Sequence, residues 1–231
     1  MITPQTAVSL RNRRKSGRTQ AERSAETREK IIAGATACIA ERGFGNATMF
    51  NIAHRAGVTW GAMQHHFGDK DAILDAVIDR SLREFTALME GLRVAEPEIE
   101  RRVRSFTRRA WVAFKGPYYR VILDILLHRP EKTERIAAAF TALWTQIFGD
   151  LRLSQERRLA AQRFTFTMLS GIATESVVIP GIEASPLHFA VLERTLTDML
   201  RRENRAHTRS GATGARINPG GNENRKGVRD G

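Results

Sequence analysis

Residues 48–67 read Thr-Met-Phe-Asn-Ile-Ala-His-Arg-Ala-Gly-Val-Thr-Trp-Gly-Ala-Met-Gln-His-His-Phe, and this stretch decides the fold. Thr48 suits the N-cap of a short helix whose apolar positions are Ile52, Ala53 and Ala56. Gly57 and Val58 follow, and Thr59 then offers a second cap ahead of Trp60 to His66. Two helices of about two turns each, joined by a tight glycine turn, have the outline of a helix-turn-helix. Ala53 is small where the helices must approach. Gly57 can take the positive φ that the turn needs. Val58 and Phe67 can anchor the pair to a core.

The second helix, Trp60-Gly61-Ala62-Met63-Gln64-His65-His66, has little to bury apart from Met63. It offers an amide, two imidazoles, an indole and a bare Gly-Ala face. Such a face can sit deep in a major groove, where glutamine reads adenine bidentately and an apolar group touches a thymine methyl. An ordinary polar surface helix is the alternative, but it leaves the cap-turn-cap spacing unexplained.

Outward from this motif, the apolar residues recur at helical spacing. Ile31, Ile32, Ala35, Cys38 and Ile39 make one stripe, ended by Gly43. Ile73 to Met89 carries a longer one, and Val103 to Phe114 another, broken by Gly116-Pro117. Tyr118 to Leu127 is apolar on most sides. Ile136 to Leu151, Leu159 to Ile172 and Leu192 to Leu200 complete the set, the last capped by Ser185 with Pro186 behind it. No strand-like alternation occurs, so the expected fold is all-α. The expected division is a basic flexible arm over 1–23, a helix-turn-helix domain over 24–72, a larger helical domain over 73–203 and a basic disordered tail over 204–231.

Charge is consistent with a polyanion partner. The net charge is +12. Residues 1–30 hold eight Lys/Arg against three Glu, and residues 201–231 hold eight against three acidic side chains. The body between them is nearly neutral. Basic ends on a neutral body suit nucleic acid, and equally suit solvated tails that keep a protein soluble, until a specific binding element decides between them. Arg11, Arg13, Arg14, Lys15 and Arg18 are the expected nonspecific contacts, since the motif itself sets Arg42, Arg55 and Lys70 against Glu41 and Asp69.

Other chemistry finds no support. A single cysteine, Cys38, excludes a disulfide framework and a cysteine zinc finger. No apolar run spans a membrane, and no signal-peptide pattern is seen, so a cytoplasmic protein without membrane contact is expected. Neither a glycine-rich phosphate loop nor an HExxH helix is present. His65 and His66 are neighbours on a helix and point about 100° apart, which disfavours a shared metal ion. No catalytic residue, metal or cofactor is expected.

The sequence resembles the tetracycline-repressor (TetR) family. The likeness runs through Thr27-Arg28-Glu29-Lys30-Ile31-Ile32, Ala40-Glu41-Arg42-Gly43-Phe44, Thr48, Ile52-Ala53, Ala56-Gly57-Val58-Thr59, Gly61, His65-His66-Phe67 and Lys70. It covers roughly residues 27–75. It implies an N-terminal three-helix DNA-binding domain, followed by a larger helical domain that dimerises and binds a small-molecule inducer. Carried onto this chain, it places Thr48, Thr59 and Lys70 on phosphates, and Trp60, Gly61, Ala62, Gln64 and His65 at base edges or the groove wall. Trp60 stands where lysine is frequent, and Gln64 where tyrosine is frequent, which suggests an unusual operator. Asp69 is an expected helix cap.

The expected function is therefore a sequence-specific DNA-binding regulator, a homodimeric repressor released from a palindromic operator by an apolar or amphipathic ligand. The dimer is expected through the last two long helices, about 154–178 and 186–202, by the family's plan. The ligand is expected among the fifth to seventh helices, against Trp111, Phe114, Tyr118, Phe140 and Trp144, although each of these rings also suits a core. Arg108, Arg109 and His128 could hold an anionic group. A helical protein binding nucleic acid nonspecifically through its tails, and a small-molecule-binding module without DNA binding, are the alternatives.

Overall fold

The computed structural model describes residues 19–179 and 181–212, with side chains described as far as Arg201. The arginine and lysine cluster expected at 11–18 lies outside these residues, as does most of the basic tail. Every regular element among the described residues is helical, and none is a strand. No helix among them is long and apolar enough to cross a membrane.

The order is α1 (Gln20–Arg42), a 3₁₀ turn (Phe44–Asn46), α2 (Met49–Ala56), α3 (Trp60–Phe67), α4 (Lys70–Met89), α5 (Leu92–Ala95), α6 (Ile99–Phe114), α7 (Pro117–His128), a second 3₁₀ turn (Pro130–Lys132), α8 (Thr133–Phe148), α9 (Gln155–Val178) and α10 (Pro186–Ala212). Two termini correct the expected boundaries. Helix α1 starts before residue 24, because Thr19 and Glu22 form a reciprocal capping box: the Glu22 amide donates to Thr19 Oγ1 at 3.2 Å and the Thr19 amide to Glu22 Oε2 at 2.7 Å. Helix α10 runs past the expected end at 203 to Ala212, since no glycine or proline interrupts it before Gly211. The short α5 also shifts the count, so the expected fifth to seventh helices are α6, α7 and α8.

The chain forms two units, Met1–Arg83 with Pro117–Thr133, and Glu84–Gly116 with Glu134–Gly231. The expected boundary at 72/73 is thus corrected twice: α4 continues in the first unit to Arg83, and α7 joins that unit. The reason is packing. Val121 and Ile125 of α7 are fully buried, and α7 lies along α1 and the first 3₁₀ turn. The Phe44 amide donates to Asp124 Oδ2 at 2.7 Å. Arg129 pairs with Asp71, and Lys132 Nζ with Asp75 Oδ1 at 2.7 Å.

The first unit is built on a core of Ile31, Ile32, Ile52, Met63, Ile73, Leu74 and Val77, all essentially inaccessible to water. Close approach of α1 and α2 requires Gly34: a Cβ there would sit 3.0 Å from both Ala56 Cβ and the Ala56 amide nitrogen. In the second unit, α6 packs on α9 and α10, and α9 on α10. Val103, Phe106, Ala110, Leu143, Trp144, Ile147, Phe148, Leu169, Leu192, Leu196 and Leu200 fill it. A charge is buried there too. Arg102 is 3% exposed and donates to Asp150 at 2.6 and 2.9 Å and to the carbonyls of Glu96, Pro97 and Ile147 at 2.8, 2.9 and 3.1 Å. One guanidinium therefore ties the loop before α6 to the end of α8.

Helix α9 is apolar on two sides. It buries Ala161, Thr165, Leu169, Ile172 and Ala173, while Leu159, Phe166, Val177 and Val178 stand exposed. On α10, Leu187 and Val191 are exposed as well.

Candidate nucleic-acid interface

The two helices of the motif start in the same way. Thr48 Oγ1 accepts the Asn51 amide and Thr59 Oγ1 the Ala62 amide, each at 3.2 Å. An N-capping hydroxyl uses its oxygen as acceptor and keeps its own proton to donate. Each threonine can therefore cap its helix and hydrogen-bond a phosphate oxygen together. Between the helices Gly57 holds φ +64°, the left-handed conformation that closes α2, and the Val58 amide returns to the Ala53 carbonyl at 3.1 Å.

Helix α3 is fixed by two side chains, Met63 and Phe67, which point into the core. Arg28 on α1 supports the far end, its guanidinium lying 4.3 Å from the centroid of the Phe67 ring and donating to the His66 carbonyl at 3.4 Å. What remains is a free side: Trp60, Gly61, Gln64 and His65 are exposed, and Ala62 and His66 half-buried. Gly61 is informative. A Cβ there would meet nothing within 4 Å, and its φ is not positive. Nothing in the fold requires glycine, which costs a helix interior about 0.5–1 kcal/mol relative to alanine. The backbone at that point is open to solvent.

Lys70, the third residue placed on phosphate by resemblance, is oriented differently. Its Nζ donates to the Phe44 carbonyl at 3.1 Å and lies 3.8 Å from the Phe44 ring centroid. Burial, and secondly the Arg129 charge, hold its ammonium below the ordinary lysine pKa. The Phe44 ring also stacks on His128, with centroids 4.6 Å apart. Lys70 and His128 are thus parts of the seam between α7 and the start of α4 and are not grouped with the α3 face. Asp69 does cap α4, accepting the Ala72 amide at 2.8 Å. Arg109 caps the other end of α4 at the Leu88 and Glu90 carbonyls.

The five rings expected around a ligand divide. Trp111, Phe114, Phe140 and Trp144 belong to the second unit, whereas Tyr118, on α7, belongs to the first. Phe114 and Phe140 join a cycle with Phe85 and Phe166, neighbouring centroids being 5.0 to 6.4 Å apart. Trp144 packs with Phe106 and Phe148 instead, and Trp111 with Phe189. The Trp144 indole N–H is buried and finds no acceptor among the described residues, and Gln162 Oε1 finds no donor there. Gln162 Nε2 donates to Thr141 Oγ1 at 3.0 Å, one turn before Trp144 on α8.

Two features were not legible beforehand. Phe50, in the first turn of α2, is 72% exposed. An apolar residue in a helical stretch reads as core until its burial is known. A groove of about 630 Å³ also runs between the start of α1 and the end of α3, lined by Gln20, Arg23, Ser24, Thr27, His65 and His66 among others. It adjoins the point where residues 1–18 enter α1.

Comparison with known proteins finds a likeness over the N-terminal domain and a wider likeness in fold. Residues 31–77 match the family described as bacterial regulatory proteins, tetR family. The HTH-type transcriptional repressor BepR of Brucella suis is 47% identical over 64 residues, 28% of this chain and 30% of that protein. The chain aligns with 29% to 38% of the length of such curated relatives. Among solved structures, the fatty acid degradation regulator FadR of Bacillus halodurans superposes with a TM-score of 0.62 at 17% identity, over 75% of this chain and 94% of that one. A TetR-family transcriptional regulator of Streptomyces coelicolor gives 0.57 at 18% identity, over 79% and 96%. These likenesses extend the shared fold beyond the matched domain.

Proposed function

We propose that the chain is a DNA-binding transcriptional regulator, from the match of residues 31–77 to the tetR family of bacterial regulatory proteins. The observation that carries this reading is the free side of α3. Trp60, Gly61, Gln64 and His65 are exposed together on a helix anchored only by Met63 and Phe67. Gln64 and His65 supply base-edge hydrogen bonds, and Gly61 admits the groove floor to the backbone. Thr48 and Thr59 bind phosphates with their hydroxyls and fix register without reading sequence. Lys70 acts mainly on Phe44, holding the start of α4. The arm at 1–18 adds nonspecific attraction.

A single recognition helix reads only a few base pairs, and a two-fold dimer on a palindrome solves that problem. The exposed Leu159 and Val177 of α9, with Leu187 and Val191 of α10, supply an apolar face for a second copy. Regulation is repression relieved by an amphipathic ligand in the second unit. The phenylalanine cycle offers it apolar walls, and the unsatisfied Trp144 indole N–H and Gln162 carbonyl oxygen offer it polar handles. Ligand and operator then oppose each other by the same factor in both directions, typically about 1–3 kcal/mol.

The test is selection of duplexes from a random pool by the full chain. An enriched inverted repeat is expected. Enrichment without symmetry would remove the dimer, and no enrichment would remove sequence-specific binding.

A further inference from the structure

Three large apolar side chains stand exposed among the described residues of the first unit: Phe50 at 72%, Trp60 at 53% and Leu127 at 73%. Two of them fall in the helix-turn-helix, each in the first turn of its helix. Phe50 follows the Thr48 cap by two residues and Trp60 follows the Thr59 cap by one. Neither is required by the core, which takes Ile52 and Ala53 from α2 and Met63 and Phe67 from α3.

The surroundings decide what such rings can meet. A protein-docking surface needs a contiguous apolar core with a polar rim. Here the exposed neighbours are Gln64, His65, the bare Gly61 and, one turn beyond Phe50 on α2, His54. That is hydrogen-bonding chemistry interrupted by isolated rings. The major-groove edge of duplex DNA has the same mixture: donors and acceptors, with the C5-methyl of thymine as its one apolar group. Phenylalanine is among the side chains that contact that methyl.

We infer that Phe50 is a specificity-determining residue that seats on a thymine C5-methyl in the operator, with Trp60 making the corresponding contact from α3. This rests on the DNA-binding reading above and names what part of that site recognises. It makes thymine a required base at positions in each half-site where no hydrogen bond from Gln64 or His65 is made.

The experiment uses the full chain and a duplex it selects from a random pool, synthesised with thymidine or with deoxyuridine at one position at a time. Deoxyuridine keeps every hydrogen bond and removes only the methyl. At the contacted positions the expected loss is about four-fold in affinity per methyl, the effect of one buried methylene-sized group. Phe50→Ala should abolish the thymidine–deoxyuridine difference at one position per half-site, and Trp60→Ala at another, each leaving the remaining position sensitive. Phe50→Leu, which keeps an apolar tip, should retain part of the difference, and the thermal melt of each variant confirms that it is folded. Tight binding that is indifferent to deoxyuridine everywhere, or a sensitivity unchanged in Phe50→Ala, overturns the inference and leaves DNA binding standing. Selection of no duplex at all overturns the DNA-binding reading and this inference with it.

Discussion

Helices α3 and α9 both lack the single apolar stripe of an ordinary surface helix, for opposite reasons. Helix α3 gives the core two side chains and leaves the rest of its surface to polar and minimal groups. Helix α9 is apolar on two sides and leaves Leu159 and Phe166 in water after its own core face is buried. Surplus polarity on a short, well-anchored helix points to a small set of specific contacts. Surplus apolar surface on a long helix points to a broad, weakly specified one. On the proposed function these are a reading surface and an association surface, and substitutions can separate them.

The largest expected effect lies on α9. Leu159→Asp places a charge on its exposed apolar face, away from Leu169 and Ile172. The variant should run as a monomer in sedimentation while its helical signal is kept. Loss of the linked second half-site should then lower operator affinity by about 10²–10⁴-fold. A dimer that persists would move the association surface elsewhere.

Next in size is the anchor of the second unit. Arg102→Ala removes five hydrogen bonds and leaves Asp150 and three carbonyls without their donor. Asp150 is 41% exposed and stays solvated, so the cost comes from the carbonyls left without a donor and is about 1–3 kcal/mol, read as a lower denaturation midpoint. The first unit, which does not contain Arg102, should keep its own stability if the two units unfold separately.

On α3 the effects are of another kind. Gln64→Ala should cost about 1–3 kcal/mol of discrimination between operator variants, with little change on random duplex. Lys70→Ala should loosen the Phe44 seam and weaken binding to all sequences alike. Should Gln64→Ala leave the ranking of single-base variants intact, the reading residue lies elsewhere on the face.

These contrasts also mark what the sequence made legible. Thr48, Gly57 and Thr59 were readable because a cap or a turn is settled by a few neighbouring residues. The all-helical class followed from periodicity. Arg102 was not readable: its partners Ile147 and Asp150 lie more than forty residues away, and nothing local distinguishes it from Arg101 or Arg104. Neither was the membership of α7 in the first unit, which depends on Asp124 reaching the Phe44 amide across 80 residues. Tyr118 was grouped with the second-unit rings for the same reason. On α9, buried and exposed positions carry the same residue types, so periodicity could not tell Leu159 from Leu169.

The central claim is that the free side of α3 is kept for DNA at a cost to the fold, and Gly61 tests it most directly. A Cβ there meets nothing within 4 Å and leucine favours a helix, so Gly61→Leu should hold or raise the melting temperature, corresponding to about 0.5–1 kcal/mol of propensity. The same side chain stands where the groove must come close, so affinity for the selected duplex should fall. Gly34→Leu, pressed against Ala56 at 3.0 Å, should instead destabilise the fold. A Gly61→Leu protein that melts no lower and binds the duplex as tightly as the parent would contradict the account.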